Sequence, residues 1–303
     1  MSFWRALAIF SGLSVIMPLI TDICLPAIPD IARYYGVETG RIQQTFSFLF
    51  FGAAFGQIIY GPLADRFGRK PVIVITMLIF TVISFVTVYT ATPNSHSFAR
   101  FLQGATGAGG LIIVRAIIRD LYDGALATKM FAYTMVGSSL MPILAPIIGG
   151  HVTELLGWKP NFFIIAGFGL VLTLSLALWL KETGKRDFKA LETKEIIKSF
   201  TILSKSKIFI CFTLITLGPF AGLLCILAGL SSVLIDFMGI STSIFGYYFA
   251  IIMLGNLLAS ILAGKLSNSL SSVKLIFIGA IICFLSGILA YIFALLGIVN
   301  PLS

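Results

Sequence analysis

Charge is what this chain most lacks. Only 11% of its 303 residues are Asp, Glu, Lys or Arg, whereas 58% are apolar and the mean hydropathy is +1.03. A soluble domain typically carries about 25% charged residues. This chain could not cover its surface in water, so lipid must be part of its solvent. Short alternating segments of about 10 residues, the mark of a membrane β-barrel, are missing as well. The apolar runs are continuous instead, and rich in Leu, Ile, Phe, Ala and Gly. Cysteine is sparse: Cys24, Cys211, Cys225 and Cys283 lie in or beside apolar runs, at spacings that suit neither a metal site nor a disulfide framework. They read as small core residues. Neither His96 nor His151 has a partner that suggests catalysis, and no phosphate-binding glycine loop or nucleophile–base constellation is present. No enzyme activity, metal or cofactor is expected.

What is there is length of the right kind. A helix needs roughly 20 mainly apolar residues to cross the hydrocarbon, and nine runs supply it, at about 4–25, 43–63, 71–91, 97–117, 130–150, 161–180, 207–229, 243–264 and 274–297. Arg5 followed by an apolar run imitates a secretory leader. No small-residue cleavage site follows, and the run ends in Asp22, Pro26 and Pro29, so it reads as a retained first span. Basic residues concentrate in cytoplasmic loops. With the N-terminus inside, 17 of the 21 Lys and Arg residues fall on the cytoplasmic side. The expectation is a multi-pass protein of the cytoplasmic (inner) membrane, its net charge of +9 facing anionic lipid rather than nucleic acid.

The chain also repeats itself. An offset of 203 residues lays Gly52 on Gly255, Gly61 on Gly264 and Leu63 on Leu266, and places spans one to three on spans seven to nine. The expected organisation is a six-helix half (1–180), a basic cytoplasmic linker (181–206) and a parallel second copy (207–303) that stops after three helices. Parallel halves with a site between them near mid-membrane are a common transporter plan.

Three segments carry chemistry. Between spans two and three lies GPLADRFGRKPV (61–72). There Gly61–Pro62 can end a helix, Gly68 allows a tight turn, and Asp65 can pair with both Arg66 and Arg69, with Lys70 following. The second segment is RFLQGATGAGG (100–110), followed by RAIIRD (115–120). An arginine inside a span usually faces a polar cavity and a partner. Asp22, roughly 27 Å along the first helix, shares the depth of Arg100. Either the two couple, with burial and the cation pulling the carboxylate's proton affinity in opposite directions, or both reach water at the outer face. The third segment, MPILAPIIGG (141–150), holds Pro146, Gly149 and Gly150, small residues that also permit ordinary close packing.

The first segment resembles the signature loop of the major facilitator superfamily, G-x-L-a-D-r-x-G-r-k, at Gly61, Leu63, Asp65, Arg66, Gly68, Arg69 and Lys70. The second is similar to that family's R-x-x-q-G-x-g motif at Arg100, Gln103 and Gly104. The third resembles the drug–proton antiporter motif, although Met141 and Ala145 stand where glycines are usual. Together with LITDICLPAIPDIA (19–32), they look like the Bcr/CflA branch of multidrug efflux transporters. The likeness is specific over 1–183 and weaker over 207–303.

The resemblance implies an all-α major facilitator fold and export of amphipathic, drug-like molecules such as bicyclomycin, sulfonamides or phenicols in exchange for protons. The proton gradient then takes the place of a cofactor. It further implies proton coupling at Asp22 and Arg100, an inner gate at the Asp65 loop joined by Asp120, and a substrate cavity that includes Gln103. Lipid and a small amphipathic solute are the expected partners. A complete chain is expected to be monomeric, and an incomplete one to need a complementing chain. Solute uptake by symport, or an inactive truncated product, are the competing readings.

Overall fold

Hydrocarbon offers no hydrogen bonds, so each spanning segment must satisfy its backbone internally, which makes helix the rule. The computed structural model describes residues 2–184, 186–187, 201–266 and 269–296. Most of the expected linker, residues 185 and 188–200, lies outside the described residues, as do 267–268 and the last residues from 297 on. Among the described residues there are nine helical segments long and apolar enough to cross a membrane, and no strand.

The first span is broken. Helix α1 (Phe3–Asp22) gives way to a single 3-10 turn (Leu25–Ala27) and then to α2 (Ile28–Tyr35). Pro26 and Pro29 lack the N–H groups that a continuous ladder would use. Residues 19–29 are all buried, so the break lies inside the protein, where irregular backbone in a membrane is tolerated. Then follow α3 (Thr39–Phe67), α4 (Arg69–Val86), α5 (Pro93–Leu121), α6 (Gly124–Leu156) and α7 (Lys159–Trp179). Helix α5 starts on a capping box, with Thr92 and Ser95 each accepting from the other's backbone N–H.

The expectation that Gly61–Pro62 ends the second span is corrected: α3 runs through Pro62 to Phe67. Proline removes only its own donor, and the ladder resumes beyond it as far as the Gly68 N–H on the Ala64 carbonyl, 3.1 Å.

In this six-helix bundle α1 and α5 are the most buried, with α3 and α4 against α5, α6 against α1, and α7 against α4. Three more helices complete the described chain: α8 (Lys207–Ser231, continued by a π-helical turn Ser232–Phe237), α9 (Thr242–Leu266) and α10 (Ser272–Leu295). Helix α9 begins 203 residues after α3, and α10 begins 203 residues after α4.

Candidate functional site

The break after Asp22 leaves carbonyls at the end of α1 without helical partners. Arg100 uses one. Its guanidinium, 1% exposed, donates to the Ile20 carbonyl at 2.9 Å and to Gln103 Oε1 at 2.5 Å. Gln103 passes the chain on to Ser84 Oγ at 2.8 Å, which donates to the Phe80 carbonyl. The rings of Phe46 and Phe162 lie 5.6 and 5.7 Å from the guanidinium carbon. A buried arginine costs roughly 3 kcal/mol in a membrane. Two hydrogen bonds from a charged donor, at about 1.5–3 kcal/mol each, offset that.

The expected partnership of Arg100 with Asp22 is corrected in its geometry. Among the described residues no ion pair or hydrogen bond joins them, because the broken helix end offers Arg100 a backbone oxygen instead. Gln103, expected at the substrate cavity, is fully buried in the Arg100–Ser84 chain and lines none of the described cavities.

Asp22 faces elsewhere. It is 5% exposed and makes no hydrogen bond or ion pair among the described residues. It lines a cavity of about 250 Å³ between the first six helices and the last three, walled by Met17, Pro18, Phe50, Phe220 and Phe249 among others. A second cavity of about 510 Å³ shares Phe50, Phe220, Leu224 and Leu227 with it and includes Phe46, which packs on Arg100. The result is an apolar chamber with one carboxylate on its wall.

Helix α6 brings the two parts together. A Cβ on Gly149 would collide with the Ile23 carbonyl at the break of the first span, and one on Gly150 with the Thr242 carbonyl at the start of α9. The Thr242 hydroxyl donates to the Gly150 carbonyl, and the Pro146 carbonyl lies against Gly246. Of the three expected motif positions on α6, Pro146 and Gly150 therefore lie at the contact between the parts, and Gly149 lies against the break of the first span. Nearby, Ser243 N–H donates to Glu154 and His151 meets the Tyr247 hydroxyl at 3.1 Å. Thr39 donates to Asp236, and Gln43 to Ser232. These contacts gather at the end of the bundle opposite the signature loop. At the loop end, residues 207–222 of α8 are exposed.

At the signature loop Gly68 has φ 102°, a conformation other residues rarely adopt. A Cβ there would also collide with the Glu182 carboxylate. Arg69 pairs with Asp65 and reaches Asp120 Oδ2 at 3.3 Å, and Thr183 donates to the same oxygen. The expectation that Asp65 also holds Arg66 is corrected: Arg69, four residues on and across the Gly68 turn, takes the carboxylate, while Arg66 lies over the Phe67 ring. Lys70 contributes its backbone N–H. Gly61, at the helix face before the loop, has nothing within 4 Å of an added Cβ.

Sequence reasoning missed Glu182. Its carboxylate accepts from the N–H groups of Arg69 and Lys70, at 2.8 and 3.3 Å, which begin α4, and from those of Thr183 and Gly184. Burial pushes this carboxyl up, but the four backbone donors outweigh it and hold it below the ordinary range. Its signal was an isolated acid just after the sixth span.

The Major Facilitator Superfamily profile matches residues 10–301. The chain belongs to the major facilitator superfamily. Members of this superfamily are transporters, not enzymes. The chain is 29% identical to the bicyclomycin resistance protein homolog of Haemophilus influenzae, over 94% of this chain and 72% of that protein. To multidrug resistance protein D of Escherichia coli it is also 29% identical, over 92% and 69%. Among solved structures, a D-xylose–proton symporter superposes with a TM-score of 0.68 at 12% identity, covering 88% of this chain and 70% of that one, a likeness of fold alone. Among the described residues there is no cluster of His, Cys, Asp and Glu suited to a metal.

Proposed function

We propose that this major facilitator chain exports amphipathic, drug-like molecules across the cytoplasmic membrane in exchange for protons. The observation that carries the reading is Asp22, a carboxylate without a hydrogen bond or ion pair among the described residues, on the wall of an otherwise apolar chamber. Such a group binds a proton or the positive end of an amphipathic solute, but not both at once, and this exclusion is what exchange requires. The names of the relatives favour drug-like cargo. Arg100 serves as a positioning residue: it holds the broken end of α1, two residues from Asp22, in place.

Alternating access follows from where the contacts lie. The two parts touch at the end opposite the signature loop, so the chamber opens at the loop end. In the proposed orientation, with the N-terminus inside and 17 of 21 basic residues on that side, the loop end is cytoplasmic. The form described is then the one that loads cargo. To discharge it, the contacts of Gly150 and Glu154 with α9 must part and the Arg69–Asp65–Asp120 cluster must close against the second part.

The test is transport in proteoliposomes holding the purified chain, with bicyclomycin or a lipophilic cationic dye as cargo and an imposed pH gradient. Proton-driven cargo movement that is lost in Asp22→Asn, with the variant still folded, supports the reading. Movement of cargo with protons rather than against them would make it a symporter. Undiminished exchange in Asp22→Asn removes the role of that residue.

A further inference from the structure

Apart from the two cavities of the chamber there is a third, a groove of about 660 Å³ between α3 and α4 on the face turned away from the chamber. Its floor is apolar, with Phe67, Ile75 and Ile79 half exposed to the surroundings. From Pro71 to Ile79 it extends about 12 Å along α4, at 1.5 Å per residue. At the loop end two arginines line it: Arg66, at the end of α3, and Arg186, in the segment after the sixth span. The Asp187 N–H donates to the Asp65 carbonyl at 2.9 Å, which ties the Arg186 segment to the loop.

Neither guanidinium has an ion-pair partner among the described residues. The carboxylates around them are occupied. Asp65 and Asp120 hold Arg69, Glu182 holds the start of α4, and Asp187 is likewise engaged. Two positive charges with no ion-pair partner among the described residues thus stand at the loop end of an apolar groove that runs along α4. Basic pockets between membrane helices suit anionic headgroups.

We propose that this groove is a binding site for an anionic phospholipid, with its phosphate between Arg66 and Arg186 and an acyl chain lying along α4 toward Ile79. The site stands outside the transport chamber and does not depend on the cargo or on proton coupling. Because Arg66 and the Asp187–Asp65 contact belong to the signature loop, a bound lipid braces that loop from the lipid side.

The purified chain is offered equal amounts of phosphatidylglycerol and phosphatidylcholine in detergent, and retained lipid is read by native mass spectrometry. The expected result is a preference for phosphatidylglycerol of roughly tenfold or more, reduced about fivefold by Arg186→Gln. Ile75→Trp fills the groove, keeps both charges and lowers retention of the lipid. Equal retention of the two lipids by the unaltered chain, or retention unchanged in either variant, overturns the proposal. Displacement of the lipid by inorganic phosphate alone overturns it too, in favour of a site for free anions.

Discussion

The first six helices and the last three are similarly apolar, yet the first set is buried to a much greater extent on the whole. Helices α1 and α5 are largely enclosed, whereas in α10 no residue of the most apolar stretch is buried. In lipid, apolar surface gains little by leaving one hydrocarbon for another, so small residues and polar links decide which helices pack. The first part has both: the Arg100–Gln103–Ser84 chain and glycines at helix crossings. Among the described residues of the last three helices, the buried polar ones are Ser231 and Thr242. Repeat partners make the same point. An added Cβ on Gly52 would collide with the Phe101 carbonyl of α5, while one on Gly255, its equivalent at an offset of 203, meets nothing within 4 Å.

That contrast breaks most visibly at Arg100. Replacing Arg100 with Ala strands the Ile20 carbonyl and Gln103 and is expected to cost on the order of 3 kcal/mol. Ile282→Ala on exposed α10 should stay within about 0.5 kcal/mol. Thermal unfolding of both variants in detergent checks the difference, and equal losses would erase it.

The repeat pair sharpens the comparison. Gly52→Ala overpacks the α3–α5 crossing and should cost about 1–3 kcal/mol. Gly255→Ala, on an open helix face, should stabilise by up to about 1 kcal/mol through helix propensity. Urea titration of the two variants reads opposite signs if the account holds.

At the signature loop the effect is smaller and depends on pH. The Glu182 carboxyl is held below its ordinary range in the folded chain. Its contribution is therefore full above the unfolded value of about 4.3 and is lost as pH falls through the folded one. Hydrogen exchange at the amides of Arg69 and Lys70, corrected for the intrinsic rate, should accelerate as pH falls through the lowered folded-state value of Glu182. In Glu182→Gln it should already be fast at neutral pH.

Cysteine labelling perturbs least. Cys24 is buried at the break of the first span, while Cys211, Cys225 and Cys283 are exposed on the last helices. A maleimide should modify Cys211, close to the loop end of α8, faster than Cys24, which peptide mass mapping would show.

Much of this was legible in the sequence because hydropathy reports which stretches can sit in lipid. It does not report where helices stop. The fifth span, expected at 130–150, is a helix over Gly124–Leu156, since the polar ends continue the same ladder into water. At the signature loop the Asp65–Arg69 pair was legible from the sequence, Asp120 entered only through the family resemblance, and Arg66 was assigned to the wrong partner. The partner of Arg100 was not, because it is a backbone oxygen exposed by a helix break, and no side chain announces it. Glu182 was hidden for a similar reason: its partners are N–H groups that every sequence possesses.

The central claim, that the unpaired carboxylate of Asp22 exchanges a proton for cargo, is tested most directly by proton counting. Cargo is added to the purified chain in weakly buffered detergent near neutral pH, and the pH change is followed. The account predicts release of about one proton per chain from the unaltered protein and none from a folded Asp22→Asn variant that still binds cargo. Equal release from both would contradict it.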